Sequence, residues 1–206
     1  MMTQSDRART KLMEREIIFT GIGGQGIQLM AKVLAQAAAT EGKHALLFGV
    51  YGGAMRGSPS ESTLVIGDEE IQAPPIVSHC WSVVAMHPQS LATLAPKLRP
   101  DGRLFLNETL VAENPRPDVV SIAIPATRLA EQAGNLMGAA MIMLGAFVAS
   151  TRLVAIDSLV AAMHASLPPH RQQLFEKNVQ LLNQGANYIG AGEVDASRFT
   201  PHASRA

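Results

Sequence analysis

The chain has 206 residues, of which 47% are hydrophobic and only 17% charged, and its 17 basic and 17 acidic residues give a formal net charge of zero. That is enough chain for one domain with a substantial core, and the charge balance argues against nucleic acid or an anionic membrane as the main partner. The single cysteine, Cys80, excludes a disulfide scaffold, a cysteine-rich zinc site and a self-contained iron–sulfur cluster, and it reads as a small buried hydrophobe in a reducing, cytoplasmic setting.

Residues 1–14 are polar, lack the apolar stretch of a signal peptide and read as a flexible leader. An apolar run around Ile17-Ile18-Phe19 predicts a buried strand at 16–20. The turn Gly21-Ile22-Gly23-Gly24-Gln25-Gly26 follows, and then an alanine-rich helical pattern from Ile27 to Thr40 that ends before Gly42. Strand, glycine turn and helix N-terminus in that order can hold an anion. The first helical N–H groups lack intrahelical acceptors, the helix dipole favours negative charge, and glycine admits a phosphate without Cβ clashes. The turn is not the dinucleotide fingerprint, because Phe48-Gly49-Val50-Tyr51-Gly52-Gly53 offers no carboxylate for a ribose hydroxyl. No phosphate-binding G-x-x-x-x-G-K-[ST] loop is present either. Two readings stay open on these residues: an anion site, and a turn that packs a helix close to a sheet.

The next strand is expected at His44–Phe48 and a third at Thr63–Ile66. Between them, Tyr51 to Ser62 forms a loop rich in glycine and serine that contains Arg56, Gly57 and Ser58. Loops of that length are often functional. If the strands ending at Thr20 and Phe48 are neighbours, Arg56 faces the Gly21–Gly26 turn, where a guanidinium suits a phosphate or carboxylate. The alternative for Arg56 is a solvated charge or an inter-subunit ion pair. Further strands are expected at 81–86, 103–107 and 119–124, with a helix at 88–98. The pattern predicts an α/β fold of three layers, with a mostly parallel sheet and a Rossmann-like first βα unit.

After Pro125 the pattern is helical, with helices expected at 126–133, 136–150, 156–165 and 169–188. The 136–150 segment is apolar nearly all round, too short for a membrane span and therefore expected inside the domain or an interface. One domain over 15–190 and a flexible tail over 191–206 complete the organisation. No histidine pair has metal-ligand spacing, Ser58, Ser60 and Ser62 have no nearby base, and His79-Cys80 should point to opposite faces of a strand. No residue is a candidate nucleophile, general base or redox centre.

The order of four motifs resembles one family. They are Gly-Ile-Gly-Gly-Gln-Gly at 21–26, Tyr-Gly-x-x-Met-Arg-Gly at 51–57, the aliphatic segment at 135–146, and Glu-Lys-Asn-Val-Gln…Gly at 176–185. Over residues 15–190 the chain is similar to the gamma subunit, or gamma domain, of the 2-oxoacid:ferredoxin oxidoreductases, which act on pyruvate, 2-oxoglutarate, branched-chain or aryl 2-oxoacids. The resemblance implies a subunit without thiamine chemistry of its own. Thiamine diphosphate, magnesium and iron–sulfur clusters are then carried by alpha and beta partners, with a delta or ferredoxin-like part in some assemblies. Coenzyme A is the shared ligand, and the implied contact positions are Gly21, Gly23, Gly24, Gln25, Gly26, Arg56, Gly57 and Ser58. The chain departs from the family in having Arg56-Gly57-Ser58 where Arg-Gly-Gly is common. The competing readings are a stand-alone dinucleotide-binding dehydrogenase and a ligand-free interaction module.

Overall fold

The computed structural model describes residues 14–51, 57–72, 77–167 and 169–191. Six strands form one sheet: β1 (Arg15–Ile22), β2 (His44–Tyr51), β3 (Pro59–Gly67), β4 (Cys80–Ala85), β5 (Leu98–Asn107) and β6 (Val120–Ile124). Their order across the sheet is β2-β3-β1-β4-β5-β6. β1, β4, β5 and β6 run parallel, while β3 is antiparallel to both β1 and β2. The sheet is therefore mostly parallel with one reversed strand. The reversal follows from chain length, because a parallel return needs a crossover of about a dozen residues or more and only residues 52–58 join β2 to β3. β1, β2, β3 and β5 extend beyond the apolar runs that predicted them, since backbone pairing does not stop where side-chain burial does, while β4 and β6 fall within one residue of the expected bounds.

The helices are α1 (Ile27–Thr40), a single turn α2 (Leu91–Leu94), α3 (Ala126–Gln132), α4 (Ala139–Thr151), α5 (Ile156–Ser166) and α6 (Phe175–Gly190). The strand period of two divides β1 between two cores. Ile17 and Phe19 join a large cluster with α1, α3, α4, α5 and α6, and Ile18 joins a smaller one with β4, β5 and α2 on the opposite face. The helix expected at 88–98 is interrupted: α2 lies between 3-10 turns at Pro88–Ser90 and Ala95–Lys97. Pro96 has no N–H to continue an α-helical ladder. The 136–150 and 169–188 segments likewise open with 3-10 turns, Leu136–Gly138 and Pro169–Leu174. β2 closes one side of the sheet with Leu46, Leu47 and Phe48 all partly exposed.

α4 is the centre of the large core. Every residue from Ala139 to Val148 is buried, in accord with a helix that has no polar face. Phe147 meets Phe19, Trp81 and Phe105 edge-on, with ring centroids 6.0, 6.4 and 4.9 Å away. On its other side α6 crosses at backbone contact. A Cβ on Gly145 would fall on the Leu182 carbonyl, and a Cβ on Gly185 would fall on the Ile142 carbonyl. The two glycines are thus reciprocal, each making room for the other helix's backbone.

In the smaller core, Cys80 is fully buried. Burial in apolar surroundings, with the Glu16 carboxylate adding to it, pushes its thiol from 9.0 up to about 12. His79 beside it is exposed and paired with Ser78, so the two neighbours do not act together.

Two predictions follow from this packing. Gly145→Ala gains about 1 kcal/mol from helix propensity, yet forced overpacking costs ~1–3 kcal/mol or more. Urea unfolding should therefore show a net loss, and a more stable variant would mean that α6 can move aside. Cys80 should resist thiol reagents at neutral pH until the chain is unfolded. Because its folded pKa is raised, stability should be intact below pH 9 and fall as pH rises towards 12. In Cys80→Ala that alkaline fall should be shallower, as measured by urea titrations across the range.

Candidate functional site

The carboxyl ends of β1 and β4 form the point at which the chain departs to opposite sides of the sheet. Crevices of this kind are where open α/β sheets bind ligands. The glycine turn occupies it. Gln25 closes the turn: its backbone N–H donates to the Ile22 carbonyl at 3.1 Å, its Oε1 accepts from the Ile22 N–H at 2.9 Å, and its Nε2 donates to the Met86 carbonyl at 3.4 Å. The Met86 N–H in turn donates to the Thr20 carbonyl at 2.8 Å, lacing β1 to the residue after β4.

The turn's glycines serve different ends. A Cβ on Gly21 would lie 2.5 Å from Gln25 Oε1, so Gly21 makes room for the clamp. Gly26 is the N-cap of α1 in the left-handed region, and a Cβ there would come 2.9 Å from Ala140 Cβ at the start of α4. Gly24 has φ +99° and open space where a Cβ would be. Gly21 and Gly26 are close-packing positions, whereas Gly24 presents bare backbone to the crevice. No side chain caps α1 or α4 at the N-terminus. The positive ends of both helix dipoles therefore meet at this edge.

The second predicted loop reaches the same place by a route the sequence did not indicate. β2 is not a neighbour of β1, because β3 stands between them. The loop converges because β3 begins beside the end of β1, with Pro59 opposite Ile22. The Gly23 N–H donates to the Ser58 carbonyl at 2.9 Å, joining the two loops directly. Gly57 has φ +85°, a conformation that favours glycine. Ser58 takes part through its carbonyl, so its departure from glycine leaves that bond intact. Arg56 lies outside the described residues.

A cavity of about 360 Å³ opens between the turn, α3 and the start of α4. Gly24, Gln25, Met86 and Thr127 line it, with Leu110, Leu136 and Met137 as an apolar wall. Leu136 and Met137 are 55% and 69% exposed, unlike the remainder of the apolar segment to which they belong. Sequence reasoning missed this wall, and it missed Asn107. Fully buried at the end of β5, Asn107 donates to the Met86 carbonyl at 3.2 Å and to Thr127 Oγ1 at 2.8 Å, and its Oδ1 accepts from the Thr127 N–H at 3.2 Å. It fixes the start of α3 against the end of β4. The available signal was a lone asparagine closing the apolar run Leu104-Phe105-Leu106. Among the described residues no cluster of three His, Cys, Asp or Glu side chains is placed to hold a metal ion. No helix there is long and apolar enough to cross a membrane.

Residues 16–188 match the model of the pyruvate ferredoxin/flavodoxin oxidoreductase family. The chain belongs to that family. It is 35% identical over 189 residues to the 2-oxoglutarate synthase subunit KorC of Methanothermobacter marburgensis, covering 88% of this chain and 100% of that one. It is 32% identical over 157 residues to the pyruvate synthase subunit PorC of the same organism, covering 74% and 86% respectively. Among solved structures, the gamma subunit of a keto/oxoacid ferredoxin oxidoreductase from Geobacter sulfurreducens superposes with a TM-score of 0.74 at 26% identity, over 87% of this chain and 98% of that one. The 2-oxoglutarate:ferredoxin oxidoreductase of Magnetococcus marinus, solved with 2-oxoglutarate, coenzyme A and succinyl-CoA, shares the fold with a TM-score of 0.77 at 16% identity. That match covers 86% of this chain and 31% of the other. The family fold thus occurs both as a free chain of about this size and as one part of a longer one.

In this family member the Gln25 clamp gives a direct test of the turn. Gln25→Ala leaves the Ile22 N–H without its acceptor and should cost about 1–3 kcal/mol. Gln25→Glu keeps the acceptor and should lose less. Urea unfolding of both variants measures this, and equal losses would mean the clamp does not hold the turn.

Proposed function

We propose that this chain is the gamma subunit of a 2-oxoacid:ferredoxin oxidoreductase, and that its glycine-turn edge helps hold coenzyme A and seat the partner subunits. The observation that carries the reading is a bare-backbone turn at the N-termini of α1 and α4, opening onto a partly apolar cavity, in a member of the pyruvate ferredoxin/flavodoxin oxidoreductase family. Coenzyme A would fit these residues. Gly24 lets a phosphate approach backbone N–H groups without a Cβ in the way, and Leu110, Leu136 and Met137 give its uncharged portion an apolar wall. When bound, coenzyme A supplies the thiol that accepts the acyl group.

The division of labour follows from what the chain offers. One deeply buried thiol cannot ligate a cluster, and it is held protonated at neutral pH. Thiamine diphosphate, magnesium and iron–sulfur clusters belong to alpha and beta partners in this reading. This chain's residues bind, orient and exclude water; they move no proton and form no bond with the substrate.

The dinucleotide-dehydrogenase alternative is disfavoured by topology as well as by composition. A ribose-binding acid acts from the end of the strand beside β1, and here that neighbour is the reversed strand β3. The ligand-free interaction module draws support from the exposure of Leu110, Leu136 and Met137 at the same edge.

Arg56 separates the two surviving readings. Arg56→Ala in the assembled complex should raise the Michaelis constant for coenzyme A about tenfold or more, from loss of a charge-assisted contact of roughly 1.5–3 kcal/mol, without changing native mass. Arg56→Lys should recover part of that loss, since the planar fork is gone. Dissociation of the complex with an unchanged coenzyme A constant would support an interface role. No change in either measurement would remove Arg56 from the site.

A further inference from the structure

Thr127 stands where the ordered polar groups behind the crevice give way to open space. It lies in the first turn of α3, is half-buried and lines the cavity of about 360 Å³, whereas Asn107 behind it is fully buried. The hydrogen bonds of Asn107 fix which way its amide faces. Oδ1 is the atom that meets the Thr127 N–H at 3.2 Å, because an amide nitrogen cannot accept there. Nδ2 then meets the Met86 carbonyl at 3.2 Å, which can only accept. That nitrogen carries two hydrogens; one goes to Met86 and the other to Thr127 Oγ1 at 2.8 Å. The Thr127 hydroxyl is therefore an acceptor towards Asn107, and its own proton is turned away. Among the described residues no group accepts that proton.

The neighbouring groups narrow the chemistry of what can meet this donor. Gln25 Nε2 keeps one hydrogen beyond its bond to Met86, a second donor in the lining. The Met86 carbonyl already accepts from both Gln25 and Asn107, at 3.4 and 3.2 Å, which occupies its two lone pairs. The charged residue in the lining is the exposed Glu131, and among the described residues no cation joins it there. A segment that suits this space offers oxygen acceptors on an otherwise apolar chain and carries no negative charge. Amide carbonyls meet that description. Gly24 bounds the cavity on the side of the glycine turn, so a ligand whose phosphate end sits at the turn enters the cavity with its uncharged part.

We propose that the Thr127 hydroxyl donates to an amide carbonyl of the pantetheine arm of coenzyme A, and that Asn107 is the positioning residue that keeps the hydroxyl turned that way. The proposal rests on the reading of this edge as a coenzyme A site. Asn107 touches no ligand. It acts through Thr127, by spending one amide hydrogen on the hydroxyl oxygen and the other on Met86. A free hydroxyl rotates to suit whatever lies near it; this one is set before the ligand arrives, so less freedom is lost on binding.

The test is equilibrium binding to the assembled complex, with coenzyme A, pantetheine and phosphoadenosine diphosphate as separate probes. Thr127→Val removes the hydroxyl at nearly constant volume. Coenzyme A and pantetheine should then bind about fivefold more weakly, with phosphoadenosine diphosphate unaffected. Thr127→Ser keeps the donor and should restore most of the lost affinity. Asn107→Asp puts an oxygen where Nδ2 stood, which captures the hydroxyl proton. It should weaken coenzyme A binding in the wild-type background and add nothing in Thr127→Val, whereas additive losses would reduce Asn107 to a structural support and overturn its role. Should that variant fail to assemble, Thr127→Val and Thr127→Ser decide the proposal by themselves. Unchanged coenzyme A affinity in Thr127→Val would overturn the proposal and leave the coenzyme A reading standing. Equal weakening of all three probes would show that the hydroxyl holds the crevice rather than the ligand, and would overturn it too. A wild-type complex that binds none of the probes would sink the coenzyme A reading itself, and this proposal with it.

Discussion

A helix with no polar face has to be kept dry on every side, and this fold is organised around meeting that demand for α4. The sheet covers one flank through Phe19, Trp81 and Phe105, which surround Phe147 edge-on. α6 covers the opposite flank, and it can approach closely enough only because Gly145 and Gly185 carry no side chains. A gap there too small for water would forfeit dispersion contacts along the length of both helices. The order of events in the chain fits this requirement. The strands come first, then the helix that needs covering, then the two helices that complete the cover.

Fixing α4 also fixes the crevice. Its first residues lie against Gly26, so the helix that fills the core also bounds the glycine turn. The turn is then locked from three directions: Gln25 to Met86, Gly23 to Ser58, and Gly26 against Ala140. Asn107 holds the far wall. A backbone so restrained presents its N–H groups in one arrangement before any ligand arrives, which lowers the ordering cost of binding.

Much of this was legible in the sequence. The first βα unit, the alternation of strands and helices through residue 124 and the helical remainder all rest on hydrophobic periodicity and turn residues, which are local signals. The reversal of β3 was not legible from periodicity, since strand direction leaves no mark on side-chain alternation; the short link between β2 and β3 was the usable clue. At the site, glycines announced the turn but not their separate duties, because Gly26 and Gly24 differ only in what lies across from them. The apolar wall of Leu110, Leu136 and Met137 is drawn from three separate segments and exists only once they are folded together.

The outer strand β2 has a bearing on how this protein fares in a cell. Among the described residues no strand pairs with its outer backbone edge, and from Ala45 to Tyr51 its sequence holds no charge and no proline. Lysines, prolines and bulges are what normally keep such an edge from recruiting another strand. Lacking these gatekeepers, a newly made chain is a template for misassociation for as long as the edge stays open. An edge of this kind makes yield in solution a matter of timing and concentration, of how soon something covers β2, as well as of the stability of the finished fold.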